Sequence, residues 1–297
     1  MVDWNRLVIA IIAGDRREQE IARCAVATGA TVRAFGFPWP AGGIAGVMNC
    51  TSAEEALAGA DIALFPIPGI AADGALFAPA YDGRLIPSRE MLAGMRAPAN
   101  IILGWADPKL KAHCEALGIA LHEYEWDDDL MLLRGPAIVE GMLRVIIENT
   151  DITIHRARVV MLGHGTIGGL ACRALVGLGA RVHVVARNPV QRAEAYAAGA
   201  EPHEFSALAE VLPGADIVIS SIPARVLHAD ALALLPKHAL LVDLAAPPGG
   251  MDREAIATLG LRAVWARGLG SRAPVTVGRS QWSGIRRRIE ALAVVKE

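Results

Sequence analysis

Three glycines stand at positions 163, 165 and 168 in the run VVMLGHGTIGGLACRALVGLGARVHVVARN (Val159–Asn188), with the spacing G-x-G-x-x-G. An apolar run precedes them and a helix-forming run follows. Glycine in the first place permits a tight turn. In the second it lets backbone approach a ligand, and in the third it lets helix pack closely on strand. The N–H groups that open the helix, those of Thr166 and Ile167 among them, then face outward, where the positive end of the helix dipole favours an anion such as pyrophosphate. Strand, turn, helix and second strand all occur in order, so the expectation is a dinucleotide-binding turn.

The second strand of this unit runs into Ala186-Arg187-Asn188. A cofactor with a free ribose 2′-OH favours Asp or Glu at that place. Here Arg187 occupies it, with Asn188 beside it and Arg192 five residues on. Guanidinium groups suit a 2′-phosphate, so the expected cofactor is NADP(H). The loops after the third and fourth strands are SSIPAR, with Ser221 and Pro223, and DLAAPPGG, which begins at Asp243. Ligands of open α/β sheets bind beyond the carboxyl ends of strands, which places both loops, with RGLGSRAPVT (Arg267–Thr276), near the nicotinamide.

Similar elements recur in the first half. RLVIAIIAGDRREQEIARCAVATGATVRAFGF resembles the fingerprint region, with Gly14 standing 149 residues before Gly163. GADIALFPIPG resembles GADIVISSIPA, with Gly59 standing 155 residues before Gly214. The chain therefore reads as α/β: two tandem doubly wound parallel-sheet (Rossmann-like) domains joined by a helix, with a C-terminal closing helix. Continuous rather than alternating apolar strands point to sheets covered on both faces. Five strands are expected in each domain, near 7–13, 31–35, 61–65, 100–104 and 119–123, then 158–162, 181–186, 216–220, 239–244 and 262–265. The expected boundaries are 1–134 for a substrate domain and 135–297 for the joining helix, the NADP-binding domain and the closing helix. Pro136 is placed at the start of the joining helix and Thr276 at the N-cap of the last; Pro/Gly-rich 37–50 is read as a loop. The first-half turn, Ala13-Gly14-Asp15-Arg16-Arg17, lacks the second and third glycines and carries charged side chains where a pyrophosphate would lie. That domain is expected to hold something else.

The 297 residues are 53% apolar and 20% charged, enough for about two ordinary domains with sizeable cores. A formal charge of −2 gives no electrostatic footprint for nucleic acid or a membrane surface. Cys24, Cys50, Cys114 and Cys172 are scattered without a C-x-x-C pair, so neither a disulfide framework nor a metal site is expected. Leu7–Ala13 reads as a buried strand rather than a signal segment, and a cytoplasmic protein is expected.

Oxidation of a hydroxy acid needs a base, usually a His oriented by a carboxylate. His228 and His238 fall outside the glycine-rich loops, which disfavours that chemistry. AGDRREQEIAR, FPIPG, IVEGMLRVIIENTDITIH, LGHGTIGG, VVARN, VDLAAPPGGMD and GLGSRAPVTVG, in that order and spacing, resemble the A-subunit family of dipicolinate synthases, from about Leu7 to about Ala293. The resemblance implies oxidation of a dihydrodipicolinate to pyridine-2,6-dicarboxylate with hydride transfer to NADP⁺. It also implies a partner, the flavoprotein-like B subunit of dipicolinate synthase; a homo-oligomer is possible. A dicarboxylate substrate calls for cationic donors, for which Arg16, Arg17 and Arg272 are the candidates. Asp15 or Glu140 is the candidate proton acceptor, with Arg16 completing the catalytic set. Two other readings are another two-domain dehydrogenase of a small carboxylic acid and a non-catalytic NADP(H)-binding regulator.

Overall fold

The computed structural model describes residues 2–71 and 73–294. Its strands are β1 (Val8–Ile12), β2 (Thr31–Phe35), β3 (Val47–Asn49), β4 (Ile62–Leu64), β5 (Asn100–Leu103), β6 (Ala120–Glu123), β7 (Arg158–Leu162), β8 (Arg181–Val185), β9 (Glu201–His203), β10 (Ile217–Ser220), β11 (Leu240–Asp243) and β12 (Arg262–Trp265). Its helices are α1 (Arg16–Val26), α2 (Ala53–Leu57), α3 (Arg89–Leu92), α4 (Pro108–Leu117), α5 (Asp128–Glu148), α6 (Thr166–Gly177), α7 (Pro189–Ala197), α8 (Leu208–Val211), α9 (Ala229–Leu232), α10 (Arg253–Leu259) and α11 (Pro274–Val294). They form two compact units, Met1–Arg134 with Ala273–Glu297, and Gly135–Arg272.

In the first unit six parallel strands lie in the order β3-β2-β1-β4-β5-β6. Alternate residues of β1 enter opposite cores. Ala10 and Ile12 join Ala63, Ile101 and Leu103 on one face, while Ile9 and Ile11 join Ile62, Leu64 and Ile102 on the other. Burial on both faces explains the unbroken apolar runs. The second unit repeats the plan, β12-β11-β10-β7-β8-β9, again parallel throughout. Val159, Met161, Val182 and Val184 pack with Met142 and Ile146 of α5 and with Ala171, Cys172 and Leu175 of α6. Val160, Leu162, Val185, Val218 and Leu241 fill the other face. Each sheet has the strand order of dinucleotide-binding domains, with its crevice beside the first strand. Cys24, Cys50, Cys114 and Cys172 are all free thiols.

Four local expectations are corrected. The segment 37–50 is not all loop, because Val47–Asn49 adds an edge strand to β2. The joining helix begins at Asp128 rather than at Pro136, which lies in its interior. Asp128 and Asp129 supply the acidic first turn that a helix start favours, and Pro136 only withholds one N–H from the ladder. Thr276 lies inside α11, which starts at Pro274. Lastly, α11 belongs to the first unit, not the second. Its Trp282, Ile285 and Ile289 recur on one face and enter the core of Ile9, Ile11 and Tyr124. Gly278 makes the close approach possible: a Cβ there would stand 2.7 Å from the Arg17 carbonyl and 2.8 Å from Glu20 Cβ. Arg279 then donates to Glu20 at 2.7 Å, and Arg288 donates to Asp127 Oδ1 at 2.9 Å.

Candidate cofactor and substrate sites

The second unit places its glycines where the carboxyl end of β7 meets α6. Gly163 has φ +88°, a left-handed conformation that favours glycine, and a Cβ there would meet Ile222 Cγ1 at 2.7 Å. A Cβ on Gly168 would stand 2.5 Å from the Gly163 carbonyl and 3.0 Å from Ser221 Oγ. Gly165 is different. It is the N-cap of α6, with no side chain to satisfy the first-turn N–H groups, and a Cβ there would meet nothing within 4 Å. The first-turn N–H groups of Thr166 and Ile167 thus have no side-chain cap and follow the exposed, open Gly165. This cradle fits the pyrophosphate of a dinucleotide.

The neighbouring residues divide into those free to meet a ligand and those that hold the cradle. The Arg187 side chain is exposed and has no hydrogen-bond or ion-pair partner among the described residues. Arg192, by contrast, closes the turn from below. Its Nη1 donates to the carbonyls of Ala186 at 2.9 Å and Arg187 at 2.8 Å, and its Nη2 pairs with Glu204 at 2.7 Å. The Asn188 side chain caps α7 by accepting from the Val190 N–H. Ser221 Oγ donates to the Leu162 carbonyl at 3.2 Å, and Pro223 is exposed in the loop after β10. Asp243 is buried and accepts from the N–H groups of Ala245 at 3.0 Å and Gly250 at 2.8 Å. It shapes the loop after β11, and burial pushes its carboxyl above the ordinary value. His164, inside the fingerprint, is buried with neither ring nitrogen hydrogen-bonded. Burial holds it below its usual value, so the Glu194 carboxylate 3.7 Å away faces a neutral ring rather than a cation.

At the corresponding turn of the first unit, Asp15 caps α1. It accepts from the Arg17 N–H, and Glu18 Oε2 accepts in return from the Asp15 N–H at 2.6 Å. Arg17 folds back onto Asp15 through Nε at 2.9 Å and Nη2 at 3.0 Å. Arg17 is therefore tied to Asp15 and buried, whereas Arg16 is exposed with no polar partner among the described residues. Glu18 was missed in the sequence, although D-x-x-E at a helix start is the mark of a capping box. Burial raises its carboxyl to about 7, with Arg17 opposing, and its Oε1 has no hydrogen-bond partner. In the second unit Glu140 and Arg272 form an ion pair with each other. Neither late histidine makes a base for a hydroxy acid. His228 is exposed at the start of α9. His238 pairs with Asp216 at 3.3 Å, just before β10 and at the end of the sheet away from the glycines.

Residues 8–125 match the N-terminal domain of the dipicolinate synthase A subunit. The crystal structure of that A subunit from Bacillus halodurans is 30% identical, with 95% of this chain and 97% of that one covered and a TM-score of 0.86. The chain belongs to the A-subunit family of dipicolinate synthases. The corresponding polypeptide of dipicolinate synthase from Bacillus subtilis is similar too, its crystal structure giving 28% identity over 100% of this chain and 98% of that one, with a TM-score of 0.84. By sequence, the dipicolinate synthase A subunit of Bacillus subtilis (strain 168) is 29% identical over 92% of each chain. Residues 146–254 match shikimate / quinate 5-dehydrogenase. The second unit is thus similar to a dehydrogenase domain, of the kind that takes a nicotinamide nucleotide. Among the described residues no helix is long and apolar enough to cross a membrane.

Proposed function

We propose that this chain is the NADP-dependent dehydrogenase component of a dipicolinate synthase, oxidising a dihydrodipicolinate to pyridine-2,6-dicarboxylate in the cytoplasm beside a flavoprotein-like B subunit. The observation that carries the reading is the match to the dipicolinate synthase A subunit along nearly the whole chain. The open glycine cradle and the unpaired Arg187 support the cofactor. When bound, the nicotinamide supplies the hydride acceptor. The first-turn N–H groups of α6 hold the pyrophosphate, and Arg187 meets the 2′-phosphate. Arg16, the unpaired arginine of its turn, holds a substrate carboxylate. Arg17 and Arg272 act through their partners, fixing Asp15 and Glu140, the two candidate proton acceptors. Aromatisation supplies driving force, so the protein's main contribution is orientation of the ring.

The test uses 4-hydroxytetrahydrodipicolinate and NADP⁺ with the purified chain, with and without the B subunit, following NADPH and pyridine absorbance together. Equal molar formation of both is expected. NADPH without the pyridine chromophore would overturn the substrate. Binding of NADPH with no turnover even beside the B subunit would overturn the catalytic role.

A further inference from the structure

The cysteine spacing gives no reason to expect a metal, but two imidazoles and a carboxylate converge on β8 and the edge strand β9 of the second unit. His183 pairs in register with Glu201, and Val185 with His203. Side chains alternate along a strand, and residues in register point the same way, so His183, Glu201 and His203 share one face of the sheet. The His183 Nδ1 and His203 Nε2 atoms are 3.1 Å apart. Glu201 completes the triangle, with Oε2 3.3 Å from His183 Nδ1 and Oε1 3.7 Å from His203 Nε2. All three donor atoms lie within 4.8 Å of one another.

These separations have a chemical meaning. Two ligands of a tetrahedral ion with metal–nitrogen bonds of about 2.0–2.1 Å stand about 3.3 Å apart. The triangle is already close to that size. Imidazole and carboxylate together suit a borderline ion such as zinc better than a hard ion such as magnesium. The ligand set is also held in place. His183 is buried and its ring stacks on that of His203 with centroids 5.3 Å apart, while Glu201 is exposed and leaves a side open to water and to entry. A metal needs a neutral imidazole. Burial, with help from the Arg158 cation on β7, keeps the His183 ring below its usual value and so neutral at pH 7. Arg158 opposes a cation here, and the Glu201 carboxylate offsets it.

We propose that His183, Glu201 and His203 form a three-ligand site for a divalent ion of the zinc class, with solvent as the remaining ligand. In the metal-free chain one of the facing nitrogens carries a proton and donates it to the other. On binding, that ring shifts to its other tautomer and both facing nitrogens coordinate. The site lies on the face opposite α5 and α6, and none of its residues belongs to the cradle or to the substrate turn.

The experiment is titration of zinc into the full chain after chelator treatment and dialysis, read by calorimetry and by thermal unfolding, with magnesium as comparison. One zinc per chain, a raised Tm and no response to magnesium are expected. Cobalt should show the intense visible bands of a four-coordinate ion. Loss of an outer-shell partner alone weakens metal binding by about 10–100-fold, so His203→Gln and Glu201→Gln should each weaken zinc by at least about tenfold. His238→Gln, at a separate surface His–Asp pair, should leave the affinity unchanged. Far-UV circular dichroism checks that each variant is folded, and the exposed Glu201→Gln carries the test if His203→Gln is not. Absence of stoichiometric zinc binding in the native chain would overturn the proposal. So would an affinity unaltered by either site variant, or lowered equally by His238→Gln.

Discussion

Replacing Glu18 with glutamine should change the pH dependence of the first unit's stability in a defined direction. The Glu18 carboxyl lies buried against the turn after β1, and burial raises it from an ordinary value of 4.5 to about 7. Between those values the folded chain holds a proton that the unfolded chain has lost. Stability from this group is therefore fully present below about 4.5 and is lost as pH rises through about 7. Moving a carboxyl from 4.5 to about 7 corresponds to roughly 3 kcal/mol. Glutamine keeps an oxygen to accept from the Asp15 N–H and cannot ionise. Its amide N–H groups would enter a place where Glu18 Oε1 has no partner, a penalty of about 1–3 kcal/mol that does not vary with pH. The absolute stabilities thus carry an offset, but their difference carries the slope. From pH 4.5 to pH 8 it should shift by roughly 3 kcal/mol in favour of Glu18→Gln. Urea unfolding followed by tryptophan fluorescence is the assay, since Trp4, Trp39, Trp105, Trp126 and Trp282 all lie in the first unit and only Trp265 in the second. A difference constant to within about 0.5 kcal/mol over that range would show that the carboxyl titrates normally in the folded chain.

Arg187→Asp removes one charge-assisted contact, worth roughly 1.5–3 kcal/mol, so NADPH affinity should fall at least about tenfold while NADH affinity holds or improves. Fluorescence titration of both cofactors checks this, and a variant that keeps its NADPH preference refutes the role of Arg187. Gly165→Ala adds a Cβ that meets no protein atom within 4 Å. It should leave Tm unchanged within about 1 °C yet weaken cofactor binding about tenfold or more, because the methyl fills the place of the pyrophosphate. Gly168→Ala, whose Cβ meets the Gly163 carbonyl at 2.5 Å, should lower both Tm and affinity. Equal tolerance of the two changes would mean that the cradle holds no anion. Gly278→Ala gains about 0.5–1 kcal/mol of helix propensity but drives α11 against the Arg17 carbonyl at 2.7 Å, for about 1–3 kcal/mol. Net destabilisation is expected in urea, and a net gain would show that α11 shifts freely on α1.

Much of the fold was readable because central strands buried on both faces carry unbroken apolar runs, such as VIAII of β1 and VVML of β7. The two strands that escaped, β3 and β9, are both edge strands. β3 is half exposed and β9 reads Glu-Pro-His, so neither carries an apolar run, and a proline is tolerated there only because an edge strand is half unpaired. The place of α11 was hidden for another reason. Its sequence shows an apolar face at Trp282, Ile285 and Ile289, but not which core that face will enter. Among the site residues, glycine spacing located the cradle. The same spacing gave no sign that Arg192, Asn188 and Asp243 spend their polar atoms on neighbouring backbone, because those bonds form only once the turn is folded.

The two turns show in physical terms why similar halves have different uses. Both follow the central strand of a sheet with the same order, and both open a helix whose first N–H groups lack helical partners. In the second unit the cap is Gly165, the N–H groups stay free, and the space above them is empty. In the first, Asp15 takes the Arg17 N–H, Glu18 takes the Asp15 N–H, and Glu18 Cδ lies only 2.2 Å from where a Cβ on Gly14 would stand. The chain's own carboxyl groups thus fill the place of a pyrophosphate and take up the N–H groups that would hold one. What they leave outward is Arg16, a cation on a turn that cannot take a nucleotide. A sequence comparison that scores only the strand–turn–helix pattern finds two dinucleotide sites here. Counting which N–H groups are already satisfied leaves one, the turn of the second unit, because in the first the Asp15 and Glu18 carboxyl groups already accept them.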